Sequence, residues 1–364
     1  WRILKSDHAS YPIARNRHAH LSPPRRAVAG KHLRLAGLWR DNGHWFAKWC
    51  PESRVIQRTA LNLLRHDLRP ALSRRCKHLK GHGGVKGTVR YLRRVVHRYA
   101  YVARFDVVAY YESVDHALLL GLLDKAGIDA DLDQIVADYL ALPDRPHIGK
   151  GMTAGGSLSP ILGGVYLNPL DQIMAKDKRL VYVRYMDDFV ILATTRWHLK
   201  KAIAQIFKIT TGLKLRLHRK TKCFIGRTDN GFDFLGYTFR PRLIRNRLGQ
   251  KKVYFTAAIS QSAAKEIRKQ INEWPWKWWR QKELGQFARF CQSRLRGWMQ
   301  YYSLFGRSYI RNVLFHFDLR LSRWALGKYR KLRGLLQAAR RVNGLRRRRP
   351  DLFAHWAGSR AMVG

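Results

Sequence analysis

Aspartate stands where a core residue belongs in two strand-like segments of this chain. The first is Tyr101-Val-Ala-Arg-Phe-Asp-Val-Val108, which reads as a buried strand carrying Asp106; the second is Leu180 to Thr194, apolar on both sides of Met186-Asp187-Asp188. A carboxylate in apolar surroundings is costly unless a cation compensates it, so the fold has to bring these acids to positive charge. The second segment has the form of a hairpin with its two carboxylates at the turn. Singly, each has an ordinary reading: an Asp-Asp pair between strands is a frequent turn former, and Asp106 could pair with one of the many arginines. Together, about eighty residues apart with a glycine-rich turn and a helix between them, they point to a shared site.

The charge balance names the class of partner. The chain has 364 residues with 71 Lys+Arg against 24 Asp+Glu, a formal net charge of +47, and such a surface calls for a polyanion. Neutralising phosphates releases counterions, so affinity for nucleic acid should fall steeply with salt. Acidic lipid is the competing polyanion, but no apolar stretch approaches the ~18 residues of a membrane-crossing helix, and no membrane partner is expected. Cys50, Cys76, Cys223 and Cys291 form no CxxC pair and have no histidine at zinc-ligand spacing. They read as reduced, intracellular, mostly buried thiols. Because the chain begins at Trp1, a preceding segment could carry a targeting signal.

Further elements follow from periodicity and punctuation. Val55, Ile56, Ala60, Leu63 and Leu64 predict a helix over Arg54 to Leu72, with Pro70 near its end, and the basic segment Lys77 to Gly87 reads as a flexible loop. Asp115 caps a helix through Lys125 that stops at Gly127, and a second helix runs from about Asp131 to Leu142. In Gly155-Gly-Ser-Leu-Ser-Pro160, Ser159 sits at the N-cap and Pro160 at the first position of a helix running toward Ala175. After a helix from about Trp197 to Thr211, the alternation of Leu213, Leu215 and Leu217 with Lys214, Arg216 and His218 predicts a half-buried strand. Gly231 to Tyr237 reads as an aromatic strand or tight hairpin and Val253 to Ile259 as another strand, after which basic helices run to the end.

Three of these segments, in this order, carry a family resemblance. Phe105-Asp-Val-Val-Ala-Tyr-Tyr-Glu-Ser-Val114, Gly155-Gly-Ser-Leu-Ser-Pro160 and Tyr185-Met-Asp-Asp188 resemble the motifs of a reverse transcriptase. His218-Arg-Lys-Thr221 and Gly231-Phe-Asp-Phe-Leu-Gly-Tyr237 are similar to its later palm motifs. Ser293-Arg-Leu-Arg-Gly-Trp-Met-Gln-Tyr-Tyr302 and Pro350-Asp-Leu-Phe-Ala-His-Trp356 resemble the thumb and tail of bacterial group II intron-type enzymes. The similarity covers about residues 54–356.

The resemblance implies an α+β right-hand polymerase: fingers over residues 1–100 with 116–153 contributing, an antiparallel-sheet palm over 101–115 and 154–260, and a helical basic thumb and tail over 261–364. It implies two Mg²⁺ ions, with Mn²⁺ as a substitute, held by Asp106 and Asp187 with Asp188 as an accessory. Magnesium is usually held by only one or two carboxylates plus substrate phosphates, so a sparse set of acids suffices. Lys220 matches the residue that protonates departing pyrophosphate, the alternative being a solvated lysine at a strand end. Tyr111 matches the sugar gate that favours dNTPs, the alternative being a core aromatic beside Tyr110. Phe234, Leu235 and Gly236 match the primer grip, and Arg294, Arg296 and Trp298 lie on the helix expected along the template–primer duplex, where basic side chains position without reading bases.

Two departures from the family pattern concern the nucleotide pocket. Ala154 stands where these enzymes usually place a glutamine, immediately before Gly155, and this puts fidelity in doubt. His44 stands where an arginine for the triphosphate is expected, leaving Lys48 and Arg54 as its substitutes. No Cys/His-rich nuclease module is expected after the thumb. The expected partners are an RNA template and nascent DNA, with a dedicated noncoding RNA, an oligomer or a companion protein left open, and the expected setting is a bacterial cytoplasm. A stand-alone enzyme with a role such as antiphage defence is the favoured setting, and a group II intron maturase or RNA-binding protein that keeps the polymerase fold is the alternative. An RNA-dependent RNA polymerase is disfavoured by Tyr111 and by the Met before Asp187.

Overall fold

The structure is a computed structural model that describes residues 28, 30–41, 44–141, 149–218, 222–245 and 249–357. The chain divides into two compact units, Trp1–Thr88 with Arg98–Gly226, and Val89–His97 with Arg227–Gly364.

The first unit opens with an antiparallel hairpin, β1 (Leu35–Asp41) and β2 (His44–Trp49), in a stretch whose glycines and basic residues show no clear period. α1 (Pro51–Asp67) follows, with proline in its first turn. The predicted end at Leu72 is too late: Leu68 caps the helix, because the proline at position 70 disfavours helical backbone at Arg69. The loop predicted through Gly87 also ends early, since α2 (Gly84–Val95) begins inside it and buries Thr88 and Val89 together with Leu92, one helical turn further on. This helix spans the boundary between the two units.

Next come β3 (Tyr101–Asp106), the short α3 (Tyr110–Ser113), α4 (His116–Lys125) and α5 (Ala130–Leu140). Asp115 caps α4 as predicted, accepting the Leu118 N–H at 3.0 Å. The helix predicted to run unbroken toward Ala175 is two helices, α6 (Ser159–Tyr166) and α7 (Asn168–Lys176), joined at Leu167, with Pro169 in the first turn of α7. Ser159 is not the N-cap of α6. Its hydroxyl turns inward, donating to the Thr153 carbonyl at 2.6 Å and lying 2.7 Å from the Tyr139 hydroxyl, and Leu158 takes the cap position without a side-chain bond.

β4 (Leu180–Tyr185) and β5 (Asp188–Ala193) form the predicted hairpin, α8 (Arg196–Gly212) follows, and β6 (Phe224–Arg227) completes a sheet of order β4-β5-β3-β6 in which the β4–β5 and β5–β3 pairs are antiparallel. Near-continuous burial of β4 and β5 explains why both read as apolar runs rather than alternating ones. The predicted strand at Leu213–Leu217 does not form. All three leucines are buried, but Lys214 adopts a φ of 55° and the segment meets the sheet only through an isolated bridge from Leu217 to Val107.

In the second unit β7 (Phe232–Phe234), β8 (Tyr237–Arg245) and β9 (Lys251–Ile259) make an antiparallel sheet. Helices follow: α9 (Gln261–Asn272), α10 (Trp276–Trp279), α11 (Leu284–Lys328) and α12 (Leu335–Arg348). α11 breaks at Gly306, where a Cβ would lie 3.2 Å from the Ala258 Cα, so the backbone of β9 is approached too closely for a side chain. Trp274, Trp276, Trp279, Phe287 and Phe317 form the aromatic core of this unit. The tail packs on it, with His355 and Trp356 each 2.8 Å from one oxygen of Asp318.

Candidate active site

The sheet of the first unit brings the three acids together. β3 and β5 pair in a register that sets Asp106 opposite Asp188, and β4 turns into β5 through Met186 and Asp187. The Asp187 carbonyl accepts the Val107 N–H at 3.3 Å, so the turn is tied to the end of β3.

The acids differ in their surroundings. Arg104 lies two residues before Asp106, hence on the same face of β3, and its Nε donates to Asp188 at 3.0 Å. Burial pushes the Asp188 carboxyl up to about 7 although Arg104 opposes the shift. Burial, then the charge of Asp106, pushes Asp187 up to about 6. Asp106 has Lys222 Nζ at 3.4 Å and His218 Nε2 at 3.6 Å. Neither Arg104 nor Lys222 was a sequence candidate; Arg104 was detectable from its period-two relation to Asp106, Lys222 was not. Lys220 lies outside the described residues.

The nucleotide-pocket candidates also lie in this unit. Tyr110 is core, its hydroxyl donating to the Gly163 carbonyl at 2.5 Å, whereas Tyr111 is only partly buried. Ala154 is buried with its N–H on the Trp45 carbonyl at 2.7 Å, which joins the glycine-rich turn to β2. Gly155 has a φ of 74°, and a Cβ on Gly156 would sit 1.7 Å from the Tyr139 hydroxyl, so the pair of glycines is required by conformation at one position and by space at the other. His44 Nδ1 is engaged by Glu112 at 2.6 Å, while Lys48 and Arg54 are exposed on β2 and the first turn of α1.

The family model for reverse transcriptase (RNA-dependent DNA polymerase) matches residues 51–239, more than half of the chain. The chain belongs to the reverse transcriptases. The model of the group II intron maturase-specific domain matches residues 254–342 of this reverse transcriptase. Protein YkfC of Escherichia coli is 26% identical over 217 residues, 49% of this chain, and the chain spans about half the length of that relative, 55%. Among solved structures, apo telomerase from Candida tropicalis aligns at 12% identity and a TM-score of 0.46, over 85% of this chain and 61% of that one. Candida albicans telomerase with a fragment of telomeric RNA aligns at 12% identity and a TM-score of 0.42, over 92% and 66%.

A reverse-transcriptase domain uses divalent metal, and the donor set here can be tested for that fit. Among the described residues no group of three or more His, Cys, Asp or Glu side chains is arranged to hold a metal ion, and Asp188 accepts from Arg104. Asp106 and Asp187 remain: hard oxygen donors whose mutual repulsion, in a site that disfavours charge, a divalent cation relieves. The residues fit Mg²⁺ as a two-carboxylate site.

The remaining candidates belong to the second unit. Phe234 is fully buried, Leu235 has a φ of 51° and Gly236 a φ of 73°, together forming the turn between β7 and β8. On α11, Arg296 is exposed, Arg294 lies over the Phe290 ring at 5.4 Å, and Trp298 stacks on Trp274 with ring planes 5° apart. No helix among the described residues is long and apolar enough to cross a membrane.

Proposed function

We propose that this reverse transcriptase extends a primer 3′-end with deoxynucleotides on an RNA template, using Asp106 and Asp187 as its metal-holding carboxylates. The observation that carries this reading is the strand register that sets the end of β3, with Asp106, against the β4–β5 turn that bears Asp187, a carboxyl that burial and the Asp106 charge push up. Bound Mg²⁺ supplies the acidification of the primer 3′-hydroxyl and the neutralisation of the leaving pyrophosphate. The chain's own groups do the positioning. Asp106 is flanked by Lys222, a cation able to meet phosphate oxygens, while Arg104 binds Asp188 and opposes the upward push of burial on its carboxyl, holding it aside as an accessory group. Tyr111 is the proposed sugar gate, supported by the anchoring of Tyr110 on Gly163, which leaves Tyr111 as the partly exposed ring of the pair. Lys48 and Arg54, exposed on unit 1, are the proposed triphosphate contacts now that His44 is engaged by Glu112. The turn at Phe234–Gly236 is the proposed primer grip, and Arg294 and Arg296 the proposed duplex contacts.

For biological setting, the match of residues 254–342 to the maturase-specific model supports handling of an intron-like structured RNA, and no observation here supports the antiphage role. Primer extension on RNA and DNA templates with Mg²⁺ and dNTPs, beside an Asp187→Ala variant, tests the polymerase reading. Extension by the parent and none by the variant is the expected result. Equal tight RNA binding by both with extension by neither would leave the RNA-binding alternative.

A further inference from the structure

We infer that His78 is a positioning residue of the active site, whose imidazole holds the backbone of the Met186–Asp187 turn so that the Asp187 carboxylate is aimed at Asp106. This rests on the reading of Asp187 given above.

Met186 has a φ of 58°, a left-handed conformation that a bulky side chain adopts only when its surroundings impose it. Both of its backbone polar groups are gripped by side chains. Its N–H donates to His78 Nδ1 at 3.0 Å, and its carbonyl accepts from an Arg184 guanidinium nitrogen at 2.7 Å. Arg184 is itself fully buried against Asp171, which also accepts the Tyr182 hydroxyl at 2.8 Å. Burial alone would lower the Arg184 pKa, but Asp171 overrides it and keeps the guanidinium charged.

The other side of His78 fixes its tautomer. Nε2 lies 2.9 Å from the Pro160 carbonyl, which can only accept, so Nε2 carries the proton and Nδ1 is left as the acceptor that Met186 needs. Burial, reinforced by the Arg184 charge, pushes the imidazole down to about 3, so the ring stays neutral. The Cys76 thiol lies 3.4 Å from the same Nδ1 and is kept protonated by burial. The loop bearing His78 is tied to the outer edge of β4, with the Lys77 N–H on the Arg184 carbonyl at 2.8 Å and the Arg184 N–H on the Arg75 carbonyl at 3.0 Å. One imidazole thus joins three segments distant in sequence: the loop before α2, the first turn of α6 at Pro160, and the turn that carries Asp187.

Three variants of the full chain test this. His78→Phe keeps a ring and removes both nitrogens, His78→Asn keeps an acceptor near the Nδ1 position, and Asp187→Asn is the control. The readouts are amide hydrogen exchange at Met186, Mn²⁺ affinity by paramagnetic resonance, and kcat, with KM for dNTP and primer–template affinity measured alongside. For His78→Phe we expect faster exchange at Met186 and losses of about ten- to a hundredfold in Mn²⁺ affinity and kcat, the range typical of groups that orient metal ligands. KM and primer–template affinity should stay within about twofold, and His78→Asn should recover most of the loss. Equal impairment of His78→Asn and His78→Phe, or unchanged exchange and kcat in His78→Phe, would overturn the inference. If Asp187→Asn left Mn²⁺ binding and extension intact, the carboxylate reading itself would fall. Unchanged exchange in His78→Phe beside a normally defective Asp187→Asn would remove only the role of His78.

Discussion

Two hairpins of this chain turn through a bulky residue in the left-handed region, Met186 between β4 and β5 and Leu235 between β7 and β8, and they are held by different means. At Met186 both backbone polar groups are engaged by side chains, one a neutral imidazole and the other a guanidinium locked on a buried carboxylate. At Leu235 the carbonyl accepts one tyrosine hydroxyl, from Tyr301 at 3.0 Å, and the next residue is a glycine whose carbonyl accepts the Ser260 N–H at 2.9 Å. Holding such a conformation costs about 1–3 kcal/mol. The first turn must also hold a buried carboxyl within the field of another, which adds repulsion to strain, and it is clamped by groups of fixed charge and tautomer. The second turn presents backbone and an apolar side chain, so a hydroxyl and a glycine suffice.

The contrast breaks hardest at Asp187. Asp187→Asn should lower primer extension by about 10³-fold while raising the unfolding free energy of the metal-free protein by about 1 kcal/mol, because the buried repulsion is gone; extension rates and denaturant melts on the same preparation check both halves. Next in size is the clamp. Asp171→Asn leaves Arg184 buried without its countercharge and should cost about 3–5 kcal/mol in urea unfolding.

A pH series sharpens the comparison further. Asp187 and Asp188 titrate near 6 and 7 in the folded protein against 3.8 for an ordinary aspartate, so between those values the folded state binds more protons than the unfolded one. Stability of the metal-free protein contributed by this pair should therefore fall as pH rises from about 4 to about 7. Melting temperatures in chelator should show that slope in the parent and lose it in the Asp187→Asn/Asp188→Asn double variant. The smallest effect belongs to the second turn: Tyr301→Phe removes one neutral hydrogen bond to Leu235 and should cost about 1 kcal/mol, measured by the same urea titration.

The acids were legible because each interrupts an apolar run, and a run buried on both faces is visible in sequence without any knowledge of its neighbours. Asp115 as a cap and the Gly231–Tyr237 hairpin were legible for a similar reason, being set by local backbone chemistry. β1 and β2 were missed because their residues are nearly all half-buried or exposed, with no alternation of buried and exposed positions, and α2 because it starts inside a glycine-rich basic segment. Ser159 has the chemistry of a cap, yet its hydroxyl is used in the core by Thr153 and Tyr139. Leu213, Leu215 and Leu217 alternate as a strand does, but the left-handed Lys214 breaks the ladder.

From the sequence alone came the need for a cation beside Asp106, Asp187 and Asp188 and a polyanionic partner for a net charge of +47, since burial cost and total charge depend on residue type and immediate context. The tertiary structure decided which acid faces which cation: Arg104 takes Asp188, Lys222 stands by Asp106, and Asp187 is left to face Asp106. It alone revealed that His78 and Arg184 hold the turn. Those contacts depend on strand register and on a loop laid along an edge strand, and hydrogen-bond geometry is set by distances that a one-dimensional pattern does not contain.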